Sequence, residues 1–320
     1  MWLRRTQRIL FAGILCAAAP LLARSQQPQP AQQDEQVFKA GAELVVLHVN
    51  VFNGRSDAVP DLPQSAFAVY EDEKPQEISF FNAGDVPVTV GLIIDNSTSM
   101  LTERSIVLAG TATFANSSHP EDEMFSVVFN ENVRNGLPDT IDFTTNRLQL
   151  QASLQRFNAG GRTALYDAVI HGLEHLEKGA YQKHVLIVMS DGGDNASAHT
   201  EQEMLDRVAS SSAIIYTIVD PDAFTPGESK PNILRRLAKM SGGVAYFPKN
   251  EKQLIANFTE VAGNIRRGYS IGYVPVAGAG QPHRHGEPHK VKVVVNAPGR
   301  KDLSVHVRSC YADPVSSASG

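Results

Sequence analysis

Between residues 86 and 267, short and almost wholly apolar runs alternate with segments of helical period, a pattern few architectures accept. The runs are VTVGLIID (88–95), MFSVVFN (124–130), HVLIVMSD (184–191) and AIIYTIVD (213–220). A strand without a polar face has to be covered on both sides, as in the middle of a parallel sheet. Between and after the runs, SIVLAGTATFANS, NRLQLQASLQRF, ALYDAVIHGLEHLEKG, EQEMLDRVASS, NILRRLAKMSGG and EKQLIANFTEVAGNIRRG place apolar residues three and four apart, as helices do. The segment reads as an α/β fold with a doubly wound, mainly parallel, Rossmann-like sheet. VAYFP (244–248) is its last expected strand and DTIDF (139–143) an expected edge strand.

The flanks have another grammar. AELVVLHVNVF, then NGRSD, reads as a strand entering a hairpin, and AFAVYEDEKPQEISFF as two strands around an acidic turn. After Gly268 come YSIGYVP, KVKVVVNA and LSVHVRSCYA, separated by Gly-, Pro- and His-rich loops. We expect the segments 37–85 and 268–313 to meet as one β-sandwich-like module with the α/β unit, 86–267, inserted between them. The rival arrangement is two separate β units.

The ends carry no core. Residues 1–25 begin with Arg4, Arg5 and Arg8, continue through ILFAGILCAAAPLL and reach ARS before Gln26, the layout of a signal peptide. An uncleaved anchor is the alternative, but the run is short for a bilayer. Residues 26–36 are a Gln/Pro-rich linker and 314–320 a polar tail. Cleavage would leave Cys310 as the single cysteine, read as a small apolar strand residue. The mature protein is then exported, periplasmic or secreted, and meets a membrane only through its export signal. A net charge of −5 gives no electrostatic case for nucleic acid.

In open α/β sheets, ligands bind beyond the carboxyl ends of the strands. Three loops there stand out. DNSTS offers Asp95, Ser97 and Ser99; GGRTALYDA presents Thr163 at a helix start after Gly160 and Gly161; and VMSDGGDN ends a buried strand at Asp191 before Gly192 and Gly193. Gathered on one face, these make two carboxylates and three hydroxyls, without thiolate or imidazole. Hard divalent cations favour such a set, and Mg²⁺ fills its remaining positions with water. Two carboxylates only balance the ion, so an open position still favours an acidic group from a partner. Taken singly, Thr163 also reads as a helix N-cap, and Asp191 as part of an ordinary turn.

With those residues in that order, the chain resembles the von Willebrand factor type A family. Its metal-ion-dependent adhesion site has D-x-S-x-S in the first loop, Thr in the second and Asp in the third. The resemblance implies that Asp95, Ser97, Ser99, Thr163 and Asp191 hold Mg²⁺, or Mn²⁺ or Ca²⁺. It further implies serines that ligate directly and aspartates that often act through water. The partner it implies is a protein presenting an acidic residue, with no small-molecule substrate. The flanks AVYEDEKPQEISFF and RRGYSIGYVP resemble a bacterial exported subfamily described as VWFA-related and common in Acidobacteria. VRSCYA departs from it where a basic residue and Gly are expected before the Tyr.

Other features read more plainly. His283, His285 and His289 with Glu287 offer a transition-metal set, though a solvated hairpin loop is the simpler reading. Asp194 and Asn195 read as exposed turn residues, with orientation of the third loop as the alternative. The EDE triplets at 71–73 and 121–123 read as solvated turns. Catalysis has little support: neither a G-x-S-x-G elbow nor a phosphate-cradling G-x-x-x-x-G-K-[ST] loop is present. A non-enzymatic binding module is therefore the leading expectation. An envelope scaffold, in which the ion only steadies the loops, is the alternative, and a hydrolase the residual one.

Overall fold

The computed structural model describes residues 44–54, 57–101, 104–219, 229–275, 288–300 and 302–312. The expected signal peptide, linker and tail, and His283, His285 and Glu287, lie outside these.

Strands of the N-terminal flank are β1 (Val45–Asn53), β2 (Asp57–Ala58), β3 (Phe67–Glu71), β4 (Lys74–Gln76) and β5 (Ile78–Asn82). The α/β unit follows with β6 (Thr89–Asp95), α1 (Arg104–Ser117), β7 (Glu123–Phe129), β8 (Val133–Asn135), α2 (Arg147–Leu154), α3 (Leu165–Leu176) and β9 (His184–Ser190). It continues with α4 (Glu201–Ser210), β10 (Ile214–Val219), α5 (Pro231–Ser241), β11 (Ala245–Tyr246) and α6 (Glu251–Arg267). The C-terminal flank adds β12 (Tyr269–Tyr273), β13 (Pro288–Val295), β14 (Leu303–His306) and β15 (Cys310–Ala312).

The central sheet has the order β11-β10-β9-β6-β7-β8, parallel except for β8. Its inner strands are buried on both faces, which explains their unbroken apolar sequence. Val90, Leu92 and Ile94 of β6 point into a core with α1, α2 and α6, and Ile93 points into a second core with α3, α4 and α5. From β6 the chain winds first to β7 on one side and later to β9 on the other. The carboxyl end of β6 is therefore the topological switch point, where α/β sheets leave a crevice.

The edge strand is not at 139–143. β8 takes that place, antiparallel to β7 through Val127↔Asn135 and Phe129↔Val133. Residues 139 and 140 form a turn in which Ile141 N–H reaches Pro138 O; the backbone pairs with β7 in one bridge, Thr144 to Met124, and Phe143 packs its ring against Phe125.

Strands from both flanks pair with one another. β1 lies between β12 and β14 in the sheet β14-β1-β12-β5, and β13 lies between β15 and β3 in the sheet β15-β13-β3-β4. Leu47, Val49 and Val51 with Tyr269, Ile271 and Tyr273 from the first meet Val69, Val291 and Val293 from the second in one core. Two expected strands are each divided. β4 and β5, continuous in sequence but for Glu77, pair in different sheets, and so do β14 and β15. A chain that changes sheet mid-run serves two layers of a sandwich at once.

The two acidic triplets also differ from expectation. Glu71 and Asp122 are buried. Asp122 accepts Val88 N–H and His119 N–H at 3.0 and 2.8 Å, and Glu123 accepts Thr89 Oγ1–H at 2.9 Å. Both act as loop staples rather than solvated charges.

Candidate metal centre

Three loops converge at the carboxyl ends of β6 and β9, held together by backbone bonds. Gly160 N–H donates to Asn96 O at 2.8 Å and Thr98 N–H to Gly161 O at 3.2 Å, tying the second loop to the first. Asn195 N–H and Ala196 N–H donate to Thr163 O at 2.9 and 3.0 Å, tying the third to the second. Asn195 Oδ1 in turn accepts Thr163 N–H at 2.9 Å. Asp194 Oδ1 accepts Tyr166 N–H in the first turn of α3, and Ser197 Oγ–H at 2.6 Å. Asp194 and Asn195 thus orient the loops, against the expectation of plain turn residues.

Glycine is required where the third loop turns. Gly192 has φ +84°, and a Cβ there would stand 2.4 Å from Lys230 O. The chain after Asp191 can pass beneath the start of α5 only without a side chain.

Ser97, Ser99, Thr163 and Asp191 line one cavity of about 300 Å³, together with Gly161, Asp194, Asn195 and Lys230. Ser97 Oγ and Ser99 Oγ lie 3.1 Å apart. Helix α3 has Ala164 as its N-cap, without a side-chain capping bond, so Thr163 is not the cap. Asp191 is fixed on both oxygens: Gly193 N–H bonds Oδ1 at 2.8 Å and Ser229 Oγ–H bonds Oδ2 at 2.7 Å.

The fifth expected residue stands apart from the cavity wall. Asp95 is 2% exposed, beneath Ser97, whose N–H donates to Oδ1 at 2.9 Å. Ser190 Oγ–H donates to Oδ2 at 2.7 Å. Burial outweighs the bonds from Ser97 and Ser190 and, helped by the charge of Asp191, pushes the Asp95 carboxyl up to about 6. A cation above Ser97 would offset that cost, because nearby positive charge favours the ionised form.

Sequence reasoning missed Ser190, Ser229 and Lys230. Ser190 had a signal: it is the last strand residue of an otherwise apolar run, next to Asp191. Ser229 and Lys230 had none, since they come from the approach to α5. Among the described residues no imidazole or thiol lines the cavity. Its donors are hydroxyl, carboxylate and amide oxygens, the set a hard divalent cation fits.

No family model and no curated protein matches the chain in sequence. Among solved structures, a von Willebrand factor type A protein from Catenulispora acidiphila is similar over 87% of this chain and 76% of its own, with a TM-score of 0.50 and 14% identity. The α/β unit has the von Willebrand factor type A fold. Lower similarity extends to the proximal thread matrix protein 1 of the mussel byssus with a zinc-occupied MIDAS motif, at TM-score 0.45 and 16% identity over 56% of this chain and 48% of that one. It extends also to the manganese-loaded Plasmodium vivax TRAP protein, at TM-score 0.43 and 12% identity over 75% of this chain and 97% of that one. In the type A fold of this chain, the three loops lie at the switch point of the central sheet.

Proposed function

We propose that this chain is an exported, divalent-cation-dependent protein-binding module. Ser97, Ser99 and Thr163 would hold the ion from the cavity wall, Asp191 from its rim, and Asp95 from below through its neighbours. The observation that carries this reading is the convergence of hydroxyls from two separate loops and the Asp191 carboxylate of a third on one cavity, with the Asp95 carboxylate buried beneath Ser97. The 3.1 Å between Ser97 Oγ and Ser99 Oγ is close to the cis edge, about 3.0 Å, of an octahedron with bonds near 2.1 Å. Mg²⁺ and Mn²⁺ are therefore the ions to test first.

When bound, the ion supplies an electrophilic position for an oxygen ligand. The chain's own residues then set which ligand. The carboxylates of Asp95 and Asp191 only balance the ion's charge, so an acidic side chain from a partner completes the site better than a neutral one. The export signal, and membership of the bacterial exported subfamily, belong to the same proposal and rest on the sequence.

Thermal unfolding of the chelator-treated protein tests it. Millimolar Mg²⁺ or Mn²⁺ is expected to raise the Tm of the native sequence, by mass action on the folded state, and to leave Asp95→Ala unmoved. Equal shifts in both proteins would refute the assignment. A scaffold role predicts the same shift but no gain in affinity for acidic partners on adding metal.

A further inference from the structure

The β-module contains a second convergence of ligand atoms, unrelated to the loops of the α/β unit and independent of the function proposed above. On β3, Phe67, Val69 and Glu71 are buried in alternation, and on β13, His289, Val291 and Val293 are. Inward alternation thus carries an apolar face on each strand to one ionisable residue at the same end of the sandwich. His289 was expected in a solvated loop, but its place in that alternation makes it part of the interior.

Each carboxylate here has one oxygen fixed by neutral donors. Glu71 Oε2 accepts the phenol O–H of Tyr273 and of Tyr311, both at 2.7 Å. Asp72 Oδ1 accepts Lys290 N–H at 2.9 Å. The other oxygens turn to His289: Nδ1 lies 2.7 Å from Asp72 Oδ2 and 3.8 Å from Glu71 Oε1. Glu71, Asp72 and His289 each place one ligand atom within 4.8 Å of the other two. Asp72 is held there in the left-handed region, at φ 45°, followed by Glu73 at φ 67°.

We propose that His289 Nδ1, Asp72 Oδ2 and Glu71 Oε1 form a second cation site, selective for a borderline ion of the Zn²⁺ class. Imidazole nitrogen and carboxylate oxygen are both zinc ligands and a water can take the fourth position, whereas Mg²⁺ favours oxygen alone. Tetrahedral bonds of 2.0–2.1 Å separate ligand atoms by roughly 3.3 Å, and the 2.7 and 3.8 Å distances bracket that value. Binding needs the two carboxylate oxygens, which lie within 4.8 Å of each other, to settle near that spacing, with the ion replacing the Nδ1 proton that His289 otherwise shares with Asp72. Tyr273, Tyr311 and Lys290 supply the outer hydrogen bonds that orient ligands around a metal. The alternative is an ion-free charged pair closing this end of the sandwich.

The test uses the Asp95→Ala protein, so that the first site does not contribute, stripped with chelator and titrated with Zn²⁺ by calorimetry. His289→Gln and Asp72→Asn are then added singly. Asparagine tolerates positive φ and keeps an acceptor for Lys290 N–H, so Asp72→Asn guards against misfolding as the cause. The proposal expects one tight Zn²⁺ per chain in the parent, weakened about tenfold or more in either variant. It also expects Co²⁺ to show the intense visible bands of a low-coordinate site, lost in His289→Gln. An unchanged Zn²⁺ affinity in both variants, or no Zn²⁺ binding by the parent, would overturn it.

Discussion

Ser190 donates its hydroxyl to Asp95 Oδ2 across 2.7 Å, joining the ends of the adjacent strands β9 and β6 beneath the candidate metal cavity. Ser190 Oγ also accepts Gly192 N–H at 3.1 Å, so one side chain fixes both the buried carboxylate and the turn that follows Asp191. Ser190→Ala should weaken Mn²⁺ binding about tenfold or more, as loss of an outer partner does at metal sites. It should also cost about 1–3 kcal/mol of stability, since a buried charged acceptor loses a donor. Ser190→Thr keeps the hydroxyl and should restore most of both. Calorimetry and urea unfolding check the two effects separately.

Gly192 gives a second prediction. Its φ is positive, and a methyl group at its Cα would stand only 2.4 Å from Lys230 O, which leaves no room for it. Gly192→Ala should destabilise the protein by roughly 1–3 kcal/mol and reduce metal affinity, because the third loop must shift away from α5. Gly160 also has a positive φ, of 136°, but no atom within 4 Å of such a Cβ. Gly160→Ala should therefore show backbone strain without a clash, and in urea unfolding and metal titration it serves as the comparison for the contact with Lys230 O.

The junction between β1 and the α/β unit should make the fold acid-sensitive. His48, on β1, is buried and bonded through Nδ1 to Ser270 Oγ at 3.1 Å. Burial, reinforced by the charges of Lys183, His184 and Arg308 and opposed by a bond to the Gln182 backbone, lowers its pKa to about 3. The folded value is depressed, so between the unfolded value of 6.5 and about 3 the unfolded chain binds a proton that the folded one refuses. Its contribution is intact above pH 6.5 and is lost progressively as pH falls through that window. Two pH units below the unfolded value correspond to roughly 2–3 kcal/mol. Because Asp95, with its raised pKa, contributes in the opposite sense over this window, the reading is the difference between proteins: from pH 7.5 to 4.5 in urea unfolding, the native sequence should lose more stability than His48→Asn by about that amount.

The legibility of this chain follows from where partners sit. β6, β7, β9 and β10 could be read directly, because burial on both faces leaves an apolar run that little else explains. DNSTS and Asp191 stood out because each ends such a run, and Thr163 because it follows Gly160 and Gly161 at a helix start; the structure lines one cavity with Ser97, Ser99, Thr163 and Asp191. Glu71 and Asp122 could not: their donors, Tyr273 and Tyr311 for one and Val88 N–H for the other, are remote in sequence. The sheet changes at Glu77 and between His306 and Cys310 were equally hidden, since both halves of each run keep strand composition. Residues 139–143 were misread because T-I-D-F alternates like an edge strand, while the chain at Pro138 is already in a turn.

The most direct measurement is a calorimetric titration of Mg²⁺ and Mn²⁺ into the chelator-stripped protein, beside Asp95→Ala and Ser97→Ala. The account predicts one saturable site in the native sequence and loss of binding in both variants, with folding unimpaired by circular dichroism. Binding that survives in both variants at native affinity would contradict it, as would a native protein that takes up neither ion.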